Sequence, residues 1–176
     1  MGNFTPNFSK CSSYLLGILF VFIGLQATAQ DFIMTITEPA SVATTYPAFS
    51  GTFGSTEFCD PEPITGELKF IEDGEGGTLA CDTVVNDMTG FFAILDRGTC
   101  TFVAKAANAQ AKGAIGVLIC SDDRDPIRAG GADPDVTIPI FMISRDQCAE
   151  FRSEVPNGGV QVSFEPDYVE ADPNEV

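Results

Sequence analysis

The apolar positions of this chain fall into short runs of strand length, with two stretches of helical character between them. Residues 32–37 form a β-branched apolar run stopped by Glu38-Pro39, and 67–71 alternates polar with apolar as a half-buried strand does. The glycine-rich stretch 73–77 then turns the chain, so 78–80 is expected to pair back on the preceding strand. Residues 91–95 and 115–120 are continuous apolar runs, the pattern of strands buried on both faces. A further strand runs over 138–143, with Pro139 tolerable near its start, and 160–164 alternates again as a closing strand. Residues 41–53 are rich in Thr, Ala and aromatics, whereas 54–63 and 121–137 have the Gly, Asp and Pro content of loops.

Helix signals occupy two gaps between these runs. Thr101 is placed as an N-cap, 103–112 is rich in Ala, Lys and Gln without Gly or Pro, and Gly113 is placed to be the left-handed residue that ends the helix. Phe102, Ala106, Ala109 and Gly113 recur at helical spacing and form a narrow face of small residues that can lie close against a sheet. Lys105 is expected to be a solvated helix residue. Ser144 and Gln147 have the spacing of a capping box, which predicts a second helix over 145–154 ended by Pro156 and Gly158-Gly159. Two helices among mixed strands, the first linking two buried strands, predict an α+β fold: a mixed β-sandwich or open barrel.

The ends of the chain read differently. Residues 14–25 are almost wholly apolar, too few for a spanning helix of about 20 residues, and Ala27-Thr28-Ala29 is a small-x-small cleavage signal. The expectation is a signal peptide over 1–29, one domain over 30–165, and an acidic, disordered tail over 166–176. Export leaves Cys59, Cys81, Cys100, Cys120 and Cys148, none at Cys-x-x-Cys spacing, and the chain has no histidine, so disulfides are favoured over metal ligation. Cys81 and Cys100 flank the first buried strand; Cys120 ends the second, and Cys148 lies in the first turn of the second helix. Those positions predict the pairs Cys81–Cys100 and Cys120–Cys148, with Cys59 as the odd thiol.

Charge and residue content remove several functions. With 25 Asp and Glu against nine Lys and Arg, and a formal charge of −16, the chain repels phosphate backbones and anionic lipid heads, so nucleic acid and membrane are not expected partners. The absence of histidine removes Ser-His-Asp, Cys-His and His-Glu-x-x-His chemistry, and no catalytic residues are assigned. Gly74, Gly76 and Gly77 lie in a polar turn with no helix after it, which is not a phosphate cradle, and no cofactor is expected. Asp122, Asp123, Asp125, Asp133 and Asp135 crowd one loop without the regular spacing of a calcium site, so no metal is assigned and the loop is read as solvated.

Read as one block, 90–116 runs strand, Arg97-Gly98-Thr99-Cys100-Thr101-Phe102, a helix carrying Lys105 and Asn108-Ala109, Gly113-Ala114, then a strand. This block resembles the signature of the protease-associated (PA) domain. Residues 138–144 and the short helix after them look like the family's later strand-helix step, and 36–40 with Phe53-Gly54 resemble the lead-in found where such domains ride on secreted bacterial peptidases. The resemblance implies a secreted, non-catalytic module that binds or positions protein or peptide, with a secreted peptidase or its substrate as candidate partner. A structural or adhesive surface protein and a small hydrolase are the alternatives. Asp96 and Arg97 would be either a ligand contact or a charge pair ordering the turn. The loop 121–137, with Asp122, Arg124 and Arg128, is the candidate protein-contact surface, its arginines offering donors to carbonyls and carboxylates.

Overall fold

The computed structural model describes residues 31–54, 62–74 and 76–167. The expected signal peptide, Cys59 and the tail from 168 onward lie outside these residues. Seven strands close into a barrel: β1 (Asp31–Glu38), β2 (Thr44–Ser50), β3 (Ile64–Phe70), β4 (Phe91–Asp96), β5 (Gly116–Cys120), β6 (Ile140–Ile143) and β7 (Gln161–Pro166). Their order around the barrel is β1-β2-β6-β5-β4-β3-β7. Neighbours from β3 through β6 run parallel, whereas β1, β2 and β7 join antiparallel. The expected sandwich or open barrel is therefore corrected to a closed barrel. β7 pairs with both β1 and β3, which leaves no free edge between the chain ends.

Two cores explain the apolar runs. Inside the barrel, Phe32, Met34 and Ile36 of β1 meet Phe92, Ile94, Leu118, Phe141, Ile143, Val162 and Phe164. The rings of Phe141 and Phe164 stack 3.9 Å apart, with Phe92 5.1 Å from Phe164. Alternate residues of the same central strands, Ala93, Leu95, Val117, Ile119, Ile140 and Met142, face outward into a second core under helix α1 (Phe102–Ala111). β4, β5 and β6 are thus covered on both sides, as their unbroken apolar runs require.

The helix signals hold in detail. Thr101 accepts a hydrogen bond from the Ala104 amide, and Gly113 follows the helix with φ +89°. Ala106 and Ala109 are buried, and so, against expectation, is Lys105, at 0 % exposure. Helix α2 (Arg145–Phe151) starts with both bonds of the Ser144–Gln147 capping box. It ends three residues earlier than expected, because Pro156 enters a 3-10 turn over Val155–Asn157.

Two segments depart from the sequence pattern. β2 forms despite Pro47: opposite β6 the ladder is limited to Phe49 and Ser50, so the missing proline N–H costs no bond there. Residues 78–80 do not pair back as a hairpin strand. The Asp73 carboxylate accepts from the Gly77 and Leu79 amides and tightens the turn, Val84 supplies the bridge to Asp73, and Ala80 takes φ +54°. The chain is thereby carried across to α1, where the Cys81–Cys100 disulfide holds it, with Cα atoms 5.6 Å apart. Cys120–Cys148 ties the end of β5 to α2 with Cα atoms 5.8 Å apart. Both expected pairs are present, closing separations of 19 and 28 residues, each worth about 3 kcal/mol if chain entropy dominates.

Phe92 fits only because its neighbours lack side chains. It lies opposite Gly116 in the β4–β5 register, and a Cβ on Gly116 would meet its Cε1 at 2.1 Å, while one on Gly66 of β3 would meet its Cδ2 at 2.8 Å. Gly116→Ala is expected to destabilise the fold by about 1–3 kcal/mol through overpacking, read as a lower urea midpoint. Shrinking the ring with Phe92→Leu in the same chain should make the alanine less costly than in the wild-type background. Equal cost in both backgrounds would remove the ring clash as its cause.

Candidate functional site

Side chains at the C-terminal ends of adjacent parallel strands leave the sheet side by side, where crevices form. Here β4 ends at Asp96 and β5 at Cys120, and α2 crosses beside them. The result is a cleft of about 410 Å³ lined by Asp96, Arg97, Ser121, Asp122, Arg145 and Arg152 around the Cys120–Cys148 disulfide.

Each charge in the cleft is held by a different partner. Arg152 donates two bonds to Asp96, at 2.7 and 2.8 Å, and its guanidinium lies 4.8 Å from the Phe70 ring. Arg97 donates to Ser121 Oγ and to the Asp125 carbonyl, both at 3.1 Å, and stands 4.0 Å from Asp122. Asp96 and Arg97 are therefore not a mutual pair ordering the turn: Asp96 binds α2, and Arg97 orders the loop after β5. Arg145 pairs with Asp123 on an exposed surface, where such a contact is weak and readily exchanged. Three guanidinium groups thus converge on one cleft of a strongly acidic chain.

Burial by itself would raise the pKa of Asp96. The bonds from Arg152 and Thr78, with the positive charge of Lys105 nearby, outweigh it and leave the carboxyl below its ordinary range. Asp122 is also held well below that range, chiefly by hydrogen bonds from Arg124.

The residues expected to form the contact loop are only partly brought together. Asp122 lines the cleft. Arg124 sits outside it, its Nε donating to both Asp122 oxygens at 2.9 and 3.1 Å. Arg128 turns away to donate to Ser50 Oγ of β2 at 2.8 Å. The loop's aspartates do not gather: Asp122 and Asp123 pair with separate arginines, and Asp133 accepts from the Asp135 amide. Among the described residues no three His, Cys, Asp or Glu side chains are grouped to hold a metal. Arg145 and Arg152 were not singled out from sequence. Their signal was the i, i+7 spacing that places both, with Cys148 and Ala149, on one face of α2.

A wider groove of about 560 Å³ opens at the other end of α1, between 85–89 and 110–113. Its polar side chains are spent on the fold: Asn86 donates to the Phe70 carbonyl, Asp87 accepts from Thr89, and Gln110 bonds Asp135 and Thr137. The cleft at the ends of β4 and β5 is therefore the better candidate.

The sequence model of the PA domain matches residues 45–151. Vacuolar-sorting receptor 1 of Pisum sativum is 24% identical over 154 residues, 80% of this chain and 24% of that protein. Signal peptide peptidase-like 2 of Arabidopsis thaliana is 32% identical over 82 residues, 44% of this chain and 15% of that protein. The minor extracellular protease Vpr of Bacillus subtilis (strain 168) is 31% identical over 98 residues, 56% of this chain and 12% of that protein. The chain therefore spans a quarter or less of each of these relatives, which come from plants and bacteria alike. The fold is shared with a zinc aminopeptidase from Bacillus subtilis, at TM-score 0.53 and 20% identity over 78% of this chain and 31% of that one. It is shared also with a peptidase M28 precursor from Shewanella amazonensis, at TM-score 0.54 and 17% identity over 78% and 34%.

The Asp96–Arg152 pair makes a pH-dependent contribution to stability. A depressed folded pKa means that the contribution is fully present above the unfolded carboxyl value of about 3.9 and is lost as pH falls through the folded pKa. Asp96→Asn is expected to cost about 1 kcal/mol near neutrality, discounted for partial exposure. The gap between variant and wild type should narrow steadily below about pH 4, measured by urea unfolding at a series of pH values. A constant gap across that range would contradict the assignment.

Proposed function

This chain belongs to the PA-domain family, and we propose that it is a non-catalytic module that holds protein or peptide in the cleft formed by β4, β5 and α2. The observation that carries the proposal is the convergence of Arg97, Arg145 and Arg152 on that cleft, in a chain of formal charge −16. Guanidinium forks suit the carbonyls and carboxylates that every peptide offers. Arg97 and Arg152 are fixed by their partners and by the Phe102 and Phe70 rings, whereas exposed Arg145 can exchange Asp123 for a ligand at little cost.

Sequence likeness to a sorting receptor and to an extracellular protease supports protein or peptide as the ligand class and a place outside the cytosol. The resemblance to domains carried on secreted bacterial peptidases supports a secreted peptidase, or its substrate, as partner. Among the described residues no helix is long and apolar enough to cross a membrane. The non-catalytic reading draws its support from the lack of histidine and of any nucleophile with a base beside it in the cleft.

The test is calorimetric titration of the whole protein with unstructured peptides from a casein digest. Binding should weaken at least about tenfold, or ~1.4 kcal/mol, in Arg145→Glu and stay unchanged in Lys112→Glu, at the opposite groove. The same peptides, incubated with the protein with and without calcium or zinc, should remain uncut. Cleavage abolished by changing one residue of this chain, or binding lost in Lys112→Glu but kept in Arg145→Glu, would overturn the proposal.

A further inference from the structure

The two disulfides stand in different surroundings. Cys120 and Cys148 are 3 % and 2 % exposed. Cys81 and Cys100 are half-buried, so a thiol can approach them from solvent. Beneath this second disulfide lies the fully buried Lys105, whose ammonium donates to the Leu79 carbonyl and stands 3.6 Å from Cys81 Sγ. A buried ammonium is costly without compensating charge. Burial lowers the Lys105 pKa, while Asp96 and Asp73 act in the opposite direction and favour the charged form. The carbonyls of Leu79 and Gly98 lie 3.8 and 3.9 Å from Cys81 Sγ. The cation therefore lies against Cys81 Sγ, the sulfur that also has the two carbonyls beside it.

We propose that Cys81–Cys100 is a thiol–disulfide exchange site with a fixed direction: an incoming thiolate attacks Cys100, and Cys81 leaves. In that step the attacking sulfur forms a bond to Cys100 Sγ while the bond between the two cysteine sulfurs breaks, and its electron pair stays on Cys81 Sγ. The new thiolate forms beside the Lys105 ammonium; if it takes a proton from solvent, the Leu79 and Gly98 carbonyls are placed to accept the S–H. A second equivalent of thiolate then attacks the external sulfur of the mixed disulfide; the bond from that sulfur to Cys100 Sγ breaks, its electron pair leaves on Cys100, and the two external thiols end as their own disulfide. The direction follows from leaving-group chemistry, since a thiolate next to a cation is the more stable one and departs faster. Leu79, Asn108 and their neighbours keep the 79–82 segment on α1 through Lys105 and through Asn108 Nδ2, which donates to the Ala80 and Asp82 carbonyls at 2.9 and 3.3 Å. Opening the bond is thus expected to leave the two sulfurs close enough to re-form it. The exchange site does not depend on the peptide-binding proposal.

The experiment uses the whole oxidised protein with limiting reduced glutathione, quenched by acid and mapped by peptide mass spectrometry. Glutathione is expected on Cys100 with a free thiol at Cys81, in roughly tenfold excess over the reverse adduct, while Cys120–Cys148 stays intact. Lys105→Met should slow the exchange by a similar factor. An even distribution of adducts, or an excess on Cys81, would overturn the proposal. So would a Lys105→Met protein that keeps Cys120–Cys148 intact and exchanges at the wild-type rate. If that variant loses Cys120–Cys148 as well, and so has not kept its fold, the adduct distribution in the wild-type protein decides.

Discussion

Burial of three parallel strands on both faces is the constraint from which the rest of this structure follows. β4, β5 and β6 must satisfy a barrel interior on one side and a helix on the other. Nothing larger than Ala at 106 and 109 lets α1 lie close on the outer face, and nothing larger than Gly at 66 and 116 leaves room for the Phe92 ring inside. Within these three strands the charged residue is Asp96, at the end of β4, which is where the cleft forms. Among the described residues, no buried side-chain nitrogen or oxygen lacks a hydrogen-bond partner.

Asp96 is the point at which these layers join. Its carboxylate binds Arg152 of α2 and the Thr78 hydroxyl, and its charge supports the buried Lys105 of α1. One strand-end residue thereby couples the second helix, the segment leading to Cys81 and the first helix. The two disulfides close the same arrangement covalently, one on each side of β4 and β5. A cleft lined by Arg97, Arg145 and Arg152, each already paired within the fold, is a consequence of that joining.

The parts of this fold set by local chemistry were legible in the sequence, and the parts set by distant contacts were not. Thr101, Gly113, Ser144 and Gln147 act within a turn of their own helix, and unbroken apolar runs announce two-faced burial, so these were readable. The disulfide pairs were readable because each cysteine flanks an element whose place was already clear. Closure of the barrel depends on β7 meeting both β1 and β3, more than ninety residues apart in the chain, and no local pattern reports that. Lys105 was misread because a lysine in an Ala-rich helix has the pattern of a solvated residue. Only the folded chain brings Leu79, Asp73 and Asp96 to its ammonium. The cleft was half readable: Asp96, Arg97 and Asp122 stood out, but Arg145 and Arg152 join them only through the crossing of α2.

Backbone amide chemical shifts followed during titration with a bound peptide locate the surface that peptide occupies. With recognition at the ends of β4 and β5, perturbations are expected to concentrate at Asp96, Arg97, Ser121, Asp122, Arg145 and Arg152, with 85–89 and 110–113 unchanged. Perturbations confined to 85–89 and 110–113, with the cleft silent, would contradict it.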